Sequence, residues 1–441
     1  MINGSRTFRA LALGFCLIAF AGAAKATTIE RVVSPGGIEA WLVQDSSVPL
    51  ISLEFAMRGG ANQDPAAKPG VGYMAAGLLD EGAGELSSAD FQRRLEQNAI
   101  ELRFRSQRDH FYGSLRTLRE RKDEAFELLR LSLTAPRFDA EPLERVRAQM
   151  MTSLMRETTS PNDIASHLWW RTAFPGHPYG RPLNGTLESV PTITADDLRD
   201  YVRRVLTRQY LTIAVVGDID PATLGKMLDT VFGGLPAKSD LVAVEPARME
   251  GIGRSVFVDL DVPQAVLNFG GVGIARRDPD FIPAYIVNHI LGGGSFSSRL
   301  YKQIREERGL AYSVYSYLLP LDHAALIMGA TATRSDRVNE TADIIRSQIR
   351  KMADEGPTAE ELDKAKSYLK GSYALNFDTS AKIAAQLVQI QLDDLGIDYI
   401  NRRNGLIEAV TLSDVKRVAK RLLEGGMLFT VVGRAAKKEG G

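Results

Sequence analysis

Thr212-Ile213-Ala214-Val215-Val216-Gly217-Asp218 is a short apolar run that ends on glycine, and it returns near the end of the chain as Leu428-Phe429-Thr430-Val431-Val432-Gly433-Arg434. A run of this length, rich in β-branched residues and stopped by glycine, reads as a buried strand. The two Val-Val-Gly triplets stand 216 positions apart. That period is the size of a domain, well above the roughly 20–50 residues of a solenoid repeat. The chain has 441 residues, more than a single core of about 250–300 residues accommodates. The spacing therefore predicts two similar halves.

Other segments repeat in the same order. Ile51-Ser52-Leu53-Glu54-Phe55-Ala56-Met57-Arg58-Gly59-Gly60 alternates like a strand and ends in glycines, as does Ala265-Val266-Leu267-Asn268-Phe269-Gly270-Gly271-Val272-Gly273. Each precedes an apolar helix, expected over 72–79 in the first half and over 283–291 in the second, the latter closed by Gly292-Gly293-Gly294 as a stop signal. Long amphipathic helices follow over 142–157, with Leu143, Val146, Met150 and Leu154 on one face, and over 358–375, with Leu362, Ala365, Leu369 and Tyr373. The segment 236–253 holds Pro236, Pro246, Gly251 and Gly253 and little periodicity, and reads as the linker. The expected architecture is α+β: two homologous domains, 27–235 and 254–441, each an antiparallel-rich sheet packed with helices.

Composition narrows the function. Basic and acidic residues number 54 each, so nothing points to nucleic acid or an anionic membrane. Residues 1–26 have the layout of a secretory signal: Arg6 and Arg9, an apolar stretch over 11–24, and a small-x-small site at Ala24-Lys25-Ala26 with cleavage after Ala26. An uncleaved anchor is the alternative. The apolar stretch is short for a membrane span, and the mature chain is expected to be periplasmic with no membrane span. Removing Arg6, Arg9 and Lys25 leaves 51 basic against 54 acidic residues. The only cysteine, Cys16, lies in this segment. The mature chain thus has no disulfide and no thiol nucleophile.

Three segments carry a resemblance to a known family: Phe174-Pro175-Gly176-His177-Pro178-Tyr179-Gly180-Arg181-Pro182-Leu183-Asn184-Gly185-Thr186, Leu291-Gly292-Gly293-Gly294-Ser295-Phe296-Ser297-Ser298-Arg299-Leu300, and Ile304-Arg305-Glu306-Glu307-Arg308-Gly309-Leu310-Ala311-Tyr312-Ser313-Val314. Together, in this order on a duplicated scaffold, they resemble the M16 (pitrilysin-like, mitochondrial-processing-peptidase-like) metallopeptidases over nearly the whole mature chain. The resemblance implies one half of a clam-shaped peptidase. In the family, H-x-x-E-H on the first helix supplies two zinc ligands and the base, and a later glutamate supplies the third ligand. Here Gly70-Val71-Gly72-Tyr73-Met74-Ala75-Ala76-Gly77-Leu78-Leu79-Asp80-Glu81-Gly82 puts Tyr73, Ala76 and Gly77 at the first three positions, and the fourth falls near Ser153, with Glu157 one turn on. A phenol, a methyl, a hydrogen and a hydroxyl do not make a zinc site, which needs three imidazole or carboxylate ligands and an open position. No metal or other cofactor is expected in this chain.

The five histidines, His110, His167, His177, His289 and His323, show no i, i+4 pairing and read as structural, with His177 in local hydrogen bonds. Asp80 and Glu81 read as an exposed helix end. The resemblance gives Arg305 and Tyr312 a role: in M16 enzymes the matching pair lies opposite the zinc and contacts the substrate backbone and the oxyanion. The alternative is a surface salt bridge for Arg305 and sheet packing for Tyr312, the latter opening a strand over 312–318. Gly292, Gly293, Gly294, Ser295 and Phe296 are expected to form a flexible substrate-admitting loop, or else a plain helix end. Trp169-Trp170 with Tyr312, Tyr315 and Tyr317 form a candidate peptide-binding wall, against a bland strand face. The reading is a non-catalytic subunit whose partner is an M16 homologue with intact H-x-x-E-H, carrying the zinc, with an extended peptide as substrate. A scaffold or peptide-binding protein without peptidase role is the alternative.

Overall fold

The computed structural model describes residues 28–434. The expected signal segment and its cleavage site lie outside the described residues. The first sheet joins β1 (Glu30–Val33), β2 (Glu39–Gln44), β3 (Leu50–Arg58), β4 (Glu101–Ser106), β5 (His110–Leu118) and β6 (Thr212–Gly217) in the order β1-β2-β6-β3-β5-β4. The second joins β7 (Ser255–Asp259), β8 (Gln264–Val272), β9 (Ala311–Pro320), β10 (Ala325–Arg334) and β11 (Leu428–Gly433) in the order β7-β11-β8-β10-β9. Without β1, the two orders are the same. In both, the Val-Val-Gly strand lies parallel to one neighbour and antiparallel to the other: β6 to β2 and β3, β11 to β7 and β8. The fold is α+β, built twice.

Helices α1 (Val71–Ala76), α2 (Ser88–Gln97), α3 (Lys122–Thr134), α4 (Ala140–Glu157), α5 (Pro161–Ala173), α6 (Ala195–Val205) and α7 (Pro221–Phe232) accompany the first sheet in sequence. Helices α8 (Phe281–Asn288), α9 (Arg299–Tyr301), α10 (Val338–Glu355), α11 (Ala359–Gly371), α12 (Ser380–Leu392), α13 (Tyr399–Ala409) and α14 (Leu412–Leu423) accompany the second. On α4 the stripe Leu143, Val146, Met150 and Leu154 is buried in the first core, as its spacing requires.

Two of these helices change sides. Helix α5, from the first half, lays Ala165 and Trp169 on the second sheet, against Val266, Leu326, Met328, Leu428 and Val432. Trp169 Nε1 donates to the Leu428 carbonyl (3.3 Å), and Thr430 Oγ1 to that of Ala165 (3.1 Å). Helix α12, from the second half, lays Ala384, Leu387, Val388 and Ile390 on the first sheet, against Trp41, Val43, Ala56, Ala214 and Val216. Gln391 Nε2 donates to the Ile213 carbonyl (3.1 Å). Both faces of β6 and β11 are therefore buried. That is why these strands read as unbroken apolar runs and not as alternating ones. Gly270 lies inside β8 because Trp169 rests there: a Cβ would stand 2.5 Å from the indole.

One helix expectation needs correction. The first helix ends at Ala76, not at residue 79, and the chain turns so that the adjacent Leu78 and Leu79 both enter the core; neighbouring residues on a continuing helix diverge instead. The second helix does stop within its glycines, but its last turn is wider than an α-helix. After α8 the chain continues as a π-turn, His289–Gly293, closed by Gly294 N–H to the His289 carbonyl at 2.8 Å. Ser316 on β9 is the reason. A Cβ on Gly292 would lie 2.5 Å from Ser316 Oγ, and one on Gly293 2.7 Å from Asn288 Nδ2. Residues 236–254 form neither helix nor strand and are pinned along their length. The Val242 main chain bonds the Gln63 amide through N–H (2.8 Å) and C=O (3.1 Å), and Ala247 and Glu250 N–H donate to the carbonyls of His323 and Ala173 (2.8 Å each).

Because each sheet is covered by a helix of the other half, the two halves are expected to unfold together. Calorimetry should show a single transition, and Trp169→Ala should lower stability by about 3–5 kcal/mol without splitting it. Two separate transitions in the unmodified chain would contradict the interlock.

Candidate functional site

Helix α1 begins at Gly70, whose φ of 100° a side chain would strain. The buried Asp64 carboxylate accepts N–H bonds from Gly70 (2.7 Å) and Gly72 (2.8 Å) and so fixes the start of the helix. Facing α1 is α4, and the end of β4 runs alongside. Between them lies a cavity of about 420 Å³, lined by Tyr73, Ala76 and Gly77 of α1, Val146, Gln149, Met150 and Ser153 of α4, residues 104–107, Glu81 and Asn184. The structure thus brings Tyr73, Ala76, Gly77 and Ser153 around one space.

Zinc does not fit this set. Tyr73 is 47% exposed at the mouth, and Ala76 is buried. Of the three nearby carboxylates, Glu81 and Glu157 are engaged elsewhere. Glu81 takes Arg145 on both oxygens (3.1 and 2.6 Å) and the Ser88 hydroxyl (2.5 Å). Burial would raise its pKa, but these bonds and the Arg145 charge outweigh that and hold it below the usual carboxylate range. Asp80 beside it is pushed up to about 6, mainly by burial. Both residues are more enclosed than the exposed helix end expected from sequence, because the chain turns inward after Ala76. Glu157 accepts from Asn184 Nδ2 (2.7 Å) and Ser153 Oγ (3.5 Å) and lies 3.4 Å from His167 Nε2. Among the described residues no group of three or more His, Cys, Asp or Glu is placed to hold a metal. There is nevertheless room for ligands: a Cβ on Gly77 would meet only ordinary contacts, the nearest at 3.7 Å.

Arg305 and Tyr312 do not line this cavity. They stand together on the second half, where α9 runs into a π-turn, Lys302–Glu306, and Gly309 at φ 60° redirects the chain into β9. The Arg305 guanidinium carbon is 4.6 Å from the centre of the Tyr312 ring, a cation–π contact. Tyr312 is 81% exposed and sits where β9 bulges against β10. The salt-bridge alternative does not describe Arg305: Glu307 pairs with Arg308 (3.3 Å), and among the described residues no carboxylate pairs with Arg305. Gly292 and Gly293 belong to the packed π-turn, so the flexible-loop expectation is corrected for them by the tight contact with Ser316 and Asn288. Phe296 projects from the turn beyond and is exposed. The aromatic wall is corrected at Trp169, which is buried between the halves, and Trp170 is covered by Arg108 at 3.5 Å. Tyr315 and Tyr317 remain half-exposed on β9 with stacked rings.

The loop 174–186 serves a different purpose, which the sequence did not disclose. Tyr179 Oη donates to Asp109 (2.7 Å), whose oxygens also accept from Asn62 Nδ2 (3.1 Å) and the Asp322 N–H (3.0 Å), while His323 N–H donates to Tyr179 Oη (3.0 Å). His177 orients the loop through the Tyr179 N–H (3.1 Å) and the Glu245 carbonyl (3.0 Å). Arg108 donates to the Tyr179 carbonyl (2.7 Å) and is pushed down to about 10 by burial. Asp109 joins the two halves and Arg108 holds the loop within the first half, and nothing in their local sequence marks either.

A model of the peptidase M16 inactive domain matches residues 192–369. A solved structure of a peptidase M16 inactive domain from Pseudomonas fluorescens superposes with a TM-score of 0.87 at 26% identity, covering 93% of this chain and 98% of that one. Over residues 192–369 the chain matches the M16 inactive domain, and over most of its length its fold is similar to that of M16 proteins. Among its relatives, an uncharacterized zinc protease of Streptomyces coelicolor is 25% identical over 421 residues, 93% of this chain and 91% of that protein. A non-peptidase homolog of Helicobacter pylori is 28% identical over 365 residues, 82% and 83% of the two chains. The periplasmic protease PqqL from Escherichia coli shares the fold at 17% identity with a TM-score of 0.78, over 93% of this chain and 46% of that one.

If the cavity is the vacated metal frame, restoring the ligands should restore the metal. The variant Tyr73→His, Ala76→Glu, Gly77→His, Ser153→Glu is expected to purify with stoichiometric zinc by elemental analysis, where the unmodified chain has none. A folded variant without zinc would show that the frame is not preserved.

Proposed function

We propose that this protein is the non-catalytic subunit of a heterodimeric periplasmic zinc peptidase. It supplies half of the substrate chamber and lends Arg305 and Tyr312 to the active site of a partner that bears H-x-x-E-H and zinc. The observation that carries the reading is the contrast between the two halves. The metal positions hold no ligands, while a cation and a phenol are stacked together at an exposed site outside that cavity. A fixed guanidinium and a hydroxyl donor, aimed where negative charge develops on a scissile carbonyl, stabilise a transition state in a water-poor chamber. The zinc that polarises this carbonyl is the partner's.

The peptide would lie extended, with strand addition at a sheet edge. Of the four outer strands, β1, β4, β7 and β9, β4 borders the cavity, whereas on β9 the Asn288 side chain already bonds the Ser316 carbonyl (3.3 Å). β4 is therefore the better acceptor. A second reading, a peptide-binding or scaffold protein without peptidase role, draws support from the relative named a non-peptidase homolog.

Peptide cleavage by an equimolar mixture with an H-x-x-E-H homologue separates the two. The chain alone is expected to cleave nothing. In the mixture, Arg305→Ala should lower kcat/KM by roughly a hundredfold or more, and Tyr312→Phe should lower it in the same direction. Activity indifferent to both substitutions would favour the second reading.

A further inference from the structure

Arg305 is held by more than Tyr312. Its guanidinium lies 5.0 Å from the Tyr301 ring and 5.9 Å from the Phe296 ring, so three aromatic rings enclose it. Tyr301, four residues earlier on the same helical segment, is 6% exposed, and its phenol oxygen accepts a hydrogen bond from Arg305 Nη1. Phe296 meets the Tyr301 ring edge-on, with centroids 5.0 Å apart. It is placed there by Ser295, whose φ of 47° turns the chain sharply after the glycines.

Aromatic faces attract a cation without fixing its rotation, whereas a hydrogen bond to one nitrogen sets the plane of the fork. We propose that Tyr301 is a positioning residue for Arg305, with Phe296 closing the enclosure. The phenol engages one of the five guanidinium N–H donors and orients the rest toward the open side beside Tyr312. A long side chain that is already fixed loses less freedom when it meets the peptide. The proposal rests on the reading that Arg305 acts on a partner's substrate, but the geometry it assigns can be tested without that partner.

Tyr301→Phe keeps the buried ring and removes only the hydroxyl. In the isolated chain, phenylglyoxal labelling located by mass spectrometry is expected to modify Arg305 about tenfold faster in this variant, the loosening expected from loss of a hydrogen bond to a charged group. The neighbouring Arg308 serves as the internal control. An unchanged Arg305 rate would overturn the proposal. In the mixture with a zinc-bearing homologue, Tyr301→Phe should lower kcat with little change in KM, and its effect should vanish in an Arg305→Ala background. An equal, additive loss in that background would reveal a merely structural role and also overturn it. If the unmodified mixture is inactive, the subunit reading fails while the labelling still decides the positioning of Arg305.

Discussion

Each sheet of this protein has two apolar faces, and its own half of the chain covers only one of them. The other is covered by a helix exchanged from the opposite half: α5 on β8 and β11, α12 on β3 and β6. Trp169 alone buries a side chain of the class that contributes most area to a core. Much of what positions the candidate site depends on this exchange. Helix α4, which forms one wall of the cavity, leads into α5 within a few residues, so the docking of α5 on the second sheet also anchors the wall. The hairpin that follows β9 is tied back to the first half through Asp109 and Tyr179.

That buried polar knot works because it is satisfied. The Asp109 oxygens accept from Tyr179, Asn62 and the Asp322 main chain, and the Tyr179 hydroxyl in turn accepts from His323. A buried carboxylate left with fewer partners is a large local cost, whereas a complete network specifies one arrangement of the two halves. The cavity and the Arg305 enclosure therefore keep a fixed relation within one interlocked body, although they do not meet in this chain.

Much of this was legible in the sequence, for identifiable reasons. Val215-Val216-Gly217 and Val431-Val432-Gly433 announced the duplication because strands buried on both faces admit only apolar residues. The α4 stripe was legible from helical spacing, and the family resemblance singled out Tyr73, Ala76, Gly77 and Ser153, which the fold gathers around one cavity. What remained hidden depends on neighbours distant in sequence. An apolar helix face does not say which sheet it covers, so the exchange of α5 and α12 could not be read. Gly292 and Gly293 looked like a stop or a hinge, because the Ser316 contact that demands them lies more than twenty residues away. Tyr301 and Phe296 are ordinary aromatics until the π-turn brings them around Arg305, and Asp109 lacks any motif.

In the function proposed, the absence of metal-binding side chains around the cavity and the stacked Arg305–Tyr312 pair belong together as one half of an active site. The most direct measurement is a titration: a zinc-bearing H-x-x-E-H homologue from the same cell, at fixed concentration with a peptide substrate, receives increasing amounts of this chain. The account predicts cleavage that rises from a low baseline and saturates at equimolar ratio. A rate that stays flat across the titration would contradict it.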